Sequence, residues 1–218
     1  MPAVDLRLNV ILDGAPGRDL AALARAAIEG GATLLQYRDK TASTRTMVAN
    51  TQAILSALAG ADVPLLVNDR VDVALAAGAG GVHLGRDDMM PDGARKLLGP
   101  DAIIGVTVKN EADAQDAMAA PVDYACIGGV FTTLSKHNPD PPVGIDGLTA
   151  LRGMLRHAQP TLPVGAIAGI DLPRVAPVVT AGADGVAVIS AVLDAADPAA
   201  AARELRAAVD AALGARRA

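Results

Sequence analysis

The chain is nearly without aromatic residues. Among its 218 residues there is no tryptophan, and Tyr37, Tyr124 and Phe131 make up the whole aromatic complement. Proteins that hold single-stranded nucleic acid stack successive bases on rings, and such platforms cannot be built in number here. The excess of positive charge that a polyanion demands is missing too: 19 Lys and Arg stand against 24 Asp and Glu, a net charge of -5. No nucleic-acid partner is expected, while a local basic pocket stays open. Cys126 is the single cysteine, so an intramolecular disulfide is excluded. Its place in the apolar run Tyr124-Ala125-Cys126-Ile127, with no adjacent His, reads as a buried thiol and not as an activated nucleophile. The three histidines form no pair at ligand spacing, which argues against zinc. His83 falls mid-strand and reads as packed or hydrogen-bonded, His137 as a loop residue, and His157 as lying near a helix end. No apolar run reaches the length of a membrane span, and Met1-Pro2-Ala3-Val4-Asp5 has neither a basic n-region nor a long apolar stretch. The expectation is a cytoplasmic protein with no membrane partner.

What the chain does have is aliphatic material. Hydrophobic residues make up 51 % of it, chiefly Ala, Val and Leu, enough for a large buried core. Short apolar runs at Leu6-Asp13, Thr33-Asp39, Val63-Asp69, Gly81-Gly85, Ala102-Val108, Tyr124-Val130, Leu162-Ala168 and Gly185-Ala191 read as eight strands. Helical composition lies between them at Leu20-Glu29, Thr44-Ala59, Val71-Ala77, Glu111-Ala119, Gly147-His157 and Pro173-Ala181. A last helix is expected over Pro198-Leu213, with Pro in its first turn. Gly30-Gly31, Gly78, Gly80-Gly81 and Gly182 follow helices, as C-caps do. Nearly continuous apolar strands alternating with helices imply a parallel sheet covered on both faces, and eight such units imply closure into a (βα)8 TIM barrel. No Ser- or Pro-rich linker divides the chain, so residues 1–218 are expected to form one domain.

In that fold the active site lies at the C-terminal ends of the strands. Polar residues collect there. Gln36, Arg38 and Lys40 alternate at the end of the second strand and so share a face; with two cations among them they could clamp an anion. Asn68-Asp69-Arg70 ends the third strand, and Asp87-Asp88 follows Gly85 after the fourth. Asp69 and Asp88 fit the sparse carboxylate set that Mg²⁺ uses, with Asp87 an alternative and helix N-capping another role for an Asp here. Thr133-Leu134-Ser135-Lys136 offers two hydroxyls and an ammonium suited to phosphate oxygens. The long sixth loop, through Asn138-Pro139-Asp140-Pro141-Pro142, is either a lid or a stiff connector. Small residues at 165–170 and 185–191 leave backbone N–H groups open to a phosphate after strands seven and eight, or else relieve crowding at a barrel corner.

Taken in order, QYRDK at 36–40, VNDR at 67–70, GVHLGRDD at 81–88, GVTVKN at 105–110, IGGVFTTLSK at 127–136, AIAGI at 166–170 and GVAVISA at 185–191 resemble the thiamine phosphate synthase family. The resemblance covers most of the chain. It implies a Mg²⁺-assisted transferase that joins 4-amino-2-methyl-5-hydroxymethylpyrimidine diphosphate to 4-methyl-5-(2-phosphooxyethyl)thiazole with release of pyrophosphate. It further implies that Gln36, Tyr37, Arg38, Asp39, Lys40, Asn68, Thr107 and Lys136 bind the pyrimidine diphosphate. Asp69 and Asp88 would hold the metal, and Thr133, Leu134, Ser135, Gly169, Ile189 and Ser190 would receive the thiazole phosphate. Arg38, Lys40 and Lys136 would neutralise the departing pyrophosphate. Homo-oligomer formation is left open.

The chain departs from the commoner family pattern at Thr107 and Ser135, where the hydroxyls are usually Ser and Thr, at Arg86 for Gln and at Lys109 for His. Ala168 takes the place of the first Gly of a pair. Two other readings stand beside the synthase. A thiazole tautomerase on a related barrel would need the phosphate loops but no diphosphate clamp or paired carboxylates. A non-catalytic phosphate-ligand sensor would be expected to have lost the charged residues that are retained here.

Overall fold

Each of the eight apolar runs forms a strand, and each strand is parallel to the next. The computed structural model describes residues 4–15, 17–133 and 141–217. In chain order these contain β1 (Leu8–Asp13), α1 (Leu20–Glu29), β2 (Leu34–Arg38), α2 (Thr44–Ala57), β3 (Leu65–Asn68), α3 (Val71–Ala77), β4 (Gly81–Leu84), α4 (Pro91–Leu98) and β5 (Ile103–Val108). The second half continues with α5 (Glu111–Ala119), β6 (Tyr124–Ile127), α6 (Gly144–Ala158), β7 (Val164–Ile167), α7 (Leu172–Thr180), β8 (Gly185–Val188), α8 (Ser190–Leu193) and α9 (Pro198–Arg217). Sequential neighbours pair throughout, and β8 returns to β1 through Leu8↔Val186 and Val10↔Val188, which closes the barrel.

Alternation along the strands builds two cores. Leu8, Val10 and Leu12 of β1, Leu35 and Tyr37 of β2, and Ile104, Val106 and Val108 of β5 point outward into the layer shared with the helices. The intervening residues point into the barrel, where Leu6, Ile11, Leu34, Leu66, Tyr124, Cys126 and Ala187 pack as a smaller cluster. Buried on both faces, the strands carry no solvated alternation, which is why they read as nearly unbroken apolar runs. Helix starts are set by short polar side chains: Asp19 accepts from Ala22 N at 2.9 Å, Ser43 from Thr46 N at 3.2 Å and Asn110 from Asp113 N at 3.0 Å. The last helix lies across the first. Arg206 Nη1 donates to Gly31 O at 2.7 Å, and Ala202 packs against Gly30.

Six of the strands end one to three residues before their apolar runs do, because the last residues of those runs already turn into the βα loops, while β1 and β5 end with theirs. Two helices escape the periodicity argument. The first, α4, is eight residues long, has Pro91 in its first turn and Gly93 inside it, and buries only Ala94. It is tied down by Arg95, whose Nη2 reaches Asp123 Oδ2 at 2.7 Å. The second, α8, is a single turn. No helix among the described residues is long and apolar enough to cross a membrane.

Candidate active site

At the C-terminal end of the barrel a cavity of about 680 Å³ opens, within the range of small-molecule pockets. Its floor is formed by inward-facing strand residues, among them Ile11, Gln36, His83, Thr107 and Cys126. Gln36 and Arg38 line it from β2, whereas Tyr37 and Asp39 do not. Alternation sends Tyr37 to the outer face, where it is fully buried and its phenol oxygen accepts from Asn50 Nδ2 at 3.0 Å. Asp39 closes the loop before α2, accepting from Thr41 N at 2.9 Å and Ala42 N at 2.8 Å. Those bonds hold its carboxyl below the usual range, against a burial that opposes them. Neither of these two side chains lines the cavity. Cys126 is buried, and burial pushes its thiol up to about 12, which agrees with an inert role.

Cations and acids meet along the rim. Arg38 is ion-paired to Asp13 and Arg18 to Asp194, and all four line the cavity. Beside Asn68, a second cluster joins Lys40, Asp69 and Asp88. Lys40 is exposed and ion-paired to Asp69. Asp88 Oδ2 accepts from Gly85 N at 2.7 Å, an anchorage within its own loop and not a helix cap. Burial, followed by the neighbouring Asp69 carboxyl, pushes the Asp88 carboxyl up to about 6. Asp69 itself takes φ 63, a left-handed backbone costly for a non-glycine residue, which places its side chain in this cluster instead of along the strand.

Across the cavity, the seventh and eighth loops supply Gly169, Ile170, Ile189 and Ser190. Gly169 has φ 62 and a Cβ there would stand 2.4 Å from Thr132 O, so the glycine lets the sixth and seventh loops touch backbone to backbone. Phe131 N donates to Ala168 O at 3.1 Å in the same contact. Arg174, from the first turn of α7, donates to Gly169 O and lies over the Phe131 ring at 4.8 Å.

Residues 8–192 match the family model described as thiamine monophosphate synthase. The chain belongs to the thiamine monophosphate synthase family. It is 61 % identical over 218 residues to the thiamine-phosphate synthase of Agrobacterium fabrum, covering 99 % of each, and 47 % identical over 208 residues to that of Chloroflexus aurantiacus, covering 94 % of each. The thiamine phosphate pyrophosphorylase of Pyrococcus furiosus superposes with a TM-score of 0.85 at 36 % identity, covering 97 % of this chain and 98 % of the other. The protein is accordingly a TIM-barrel transferase of thiamine biosynthesis.

Within a thiamine monophosphate synthase framework, the structure brings Gln36, Arg38, Asn68, Thr107, Thr133, Gly169, Ile189 and Ser190 to one cavity, and Lys40, Asp69 and Asp88 to the cluster beside it. Leu134, Ser135 and Lys136, with His137, lie outside the described residues. Sequence reasoning passed over Asp13, Arg18, Arg174 and Asp194. Each comes from a strand end, a loop or a first helical turn whose side-chain reach carries no periodic signature. The Lys109 side chain lines the cavity, so the replacement of the commoner His falls at the site itself. By contrast, the substituted Arg86 is engaged with Asp113, Nε to Oδ1 at 2.8 Å.

Proposed function

We propose that the protein condenses 4-amino-2-methyl-5-hydroxymethylpyrimidine diphosphate with 4-methyl-5-(2-phosphooxyethyl)thiazole, giving thiamine phosphate and pyrophosphate. The observation that carries this reading is the meeting, at one end of the barrel, of two separate anion-suited regions on either side of a polar-floored cavity: Arg38, Lys40, Asp69 and Asp88 on one side, and the Gly169 and Ser190 loops on the other.

The two regions divide the labour. Gln36, Asn68 and Thr107 offer hydrogen-bonding groups to a heterocycle on the floor, while Arg38 and Lys40 stand where a diphosphate attached to it would extend. Both cations are held by carboxylates, so an arriving diphosphate meets oriented groups. Val192 N and Leu193 N of α8 are bonded to Ile189 O, and the amides of Ser190 and Ala191 ahead of them suit a phosphate monoester. The reaction needs no enzyme nucleophile. The carbon–oxygen bond to the diphosphate breaks, the electron pair leaves with pyrophosphate, and the pyrimidinylmethyl cation is captured by the thiazole nitrogen. Arg38, Lys40 and, by resemblance, Lys136 stabilise the departing charge, and the walls of the cavity keep water from the cation.

Asp69 and Asp88 fit Mg²⁺. Two adjacent carboxyls, one of them reluctant to ionise beside the other, form a donor set that a hard dication would complete with water and phosphate oxygens. When bound, Mg²⁺ would supply additional neutralisation of pyrophosphate.

The direct test incubates the purified protein with both substrates and Mg²⁺, quantifying thiamine phosphate and pyrophosphate. Equimolar formation of both is expected. Isomerisation of the thiazole phosphate without pyrophosphate release would overturn the reading.

A further inference from the structure

Beneath the cavity, side chains from three strands form one hydrogen-bonded chain across the barrel. His83 on β4 and Tyr124 on β6 are not on neighbouring strands. Between them runs β5, where Gly105 is in register with both. A Cβ at 105 would stand 2.0 Å from Tyr124 Cζ and 2.5 Å from its hydroxyl, so only bare backbone lets the phenol pass over β5 to the imidazole. Having crossed, the Tyr124 oxygen lies 2.8 Å from His83 Nδ1. The other ring nitrogen, Nε2, lies 2.8 Å from Thr107 Oγ1, two residues along β5 on the same inward face. Gln36 of β2 is a further polar neighbour of the Tyr124 side chain. Gln36, His83 and Tyr124 are all buried, so their polar atoms need partners within the protein.

The direction of the chain follows from counting hydrogens. The phenol has a single hydrogen, and the relay requires that it be given to His83 Nδ1. In that arrangement an imidazole carrying one proton holds it on Nε2 and donates it to Thr107 Oγ1. With that acceptor site filled from below, the Thr107 hydrogen is turned toward the cavity that Thr107 lines.

We propose that Tyr124 is a positioning residue which, through the His83 tautomer, fixes the Thr107 hydroxyl as a hydrogen-bond donor to an acceptor atom of the bound heterocycle, and that Gly105 is the gap the arrangement requires. The identity of that heterocycle as the pyrimidine diphosphate rests on the function proposed above; the relay itself is a property of the ligand-free protein.

Two measurements test it. Long-range ¹H–¹⁵N correlation spectra of the ligand-free parent at neutral pH should show His83 as the Nε2–H tautomer, and Tyr124→Phe should release it into a tautomeric mixture. In steady-state kinetics Tyr124→Phe should lower kcat/KM for the pyrimidine diphosphate about three- to tenfold, the loss of one net hydrogen bond, with KM for the thiazole phosphate unchanged. Because both substitutions disable one hydroxyl, the double variant Tyr124→Phe/Thr107→Val should be no worse than Thr107→Val alone. A purely structural tyrosine would instead give losses that multiply. An Nδ1–H tautomer in the parent, or multiplying losses, overturns the relay. A parent with the Nε2–H tautomer but no synthase activity sinks the proposed function and leaves the relay standing.

Discussion

Ala168 and Gly169 are adjacent and both have positive φ, 94 and 62, and exchanging their side chains one at a time should move stability in opposite directions. A left-handed backbone costs an alanine about 1–2 kcal/mol. Ala168→Gly removes that strain and adds back about 0.5–1 kcal/mol of unfolded-chain entropy. The net is a gain of about 0.5–1 kcal/mol, or about 1–4 °C in Tm for a chain of this size. Gly169→Ala incurs the strain and also drives a Cβ to 2.4 Å from Thr132 O and 2.9 Å from Phe131 Cβ. That backbone cannot easily retreat, since Val130 N is bonded to Ile167 O at the end of β7 and Phe131 N to Ala168 O, each at 3.1 Å. Strain plus overpacking sum to about 2–4 kcal/mol, a fall of about 4–16 °C. Thermal melts backed by urea unfolding with unchanged m values would measure both. If Ala168→Gly loses stability as an ordinary alanine-to-glycine change does, or Gly169→Ala melts with the parent, the backbone argument for this loop is wrong.

Two further outcomes are expected. Thr107→Ser should retain activity while Thr107→Val, nearly the same shape, should lose about ten- to a hundredfold in kcat/KM, the equivalent of about 1–3 kcal/mol; parental turnover by the valine variant would make Thr107 a packing residue. Asp88 has its pKa raised from 3.8 to about 6, so its protonated form is the one folding favours, and its stabilisation is present at low pH and lost as pH rises through about 6. The Tm advantage of Asp88→Asn over the parent should therefore widen from pH 4 to pH 7, and Mg²⁺ should raise the parent's Tm at pH 7 far more than the variant's. A gap that is flat with pH and unmoved by Mg²⁺ would remove Asp88 from the metal site.

The barrel was legible because its strands are buried on both faces and alternate with helices, and because the count of eight units is the one at which such a sheet closes. The fourth helix was not, since Pro91 and Gly93 dilute an already narrow apolar stripe. Much of the site could be read for the same reason that its strands could. Gln36 and Arg38 alternate on one face, and Asn68, Thr107, Gly169 and Ser190 stand where strands end. The same rule of alternation separates the Tyr37 and Asp39 side chains from those of their neighbours, a distinction that a motif match does not make. The contact of His83 with Tyr124, 41 residues apart, depends on the shear of the closed barrel and on the bareness of Gly105, neither of which has a local signature.

Closure of β8 onto β1 also sets a schedule for synthesis. Leu8, Asn9 and Val10 leave the ribosome about 175 residues ahead of the strand that completes their ladder, and the helix that covers α1 begins only at Pro198. At ordinary elongation rates that interval is about 10–30 s. Throughout it the nascent chain carries an open sheet edge and an uncovered aliphatic helix, either of which can engage a second nascent copy before its own C-terminus arrives.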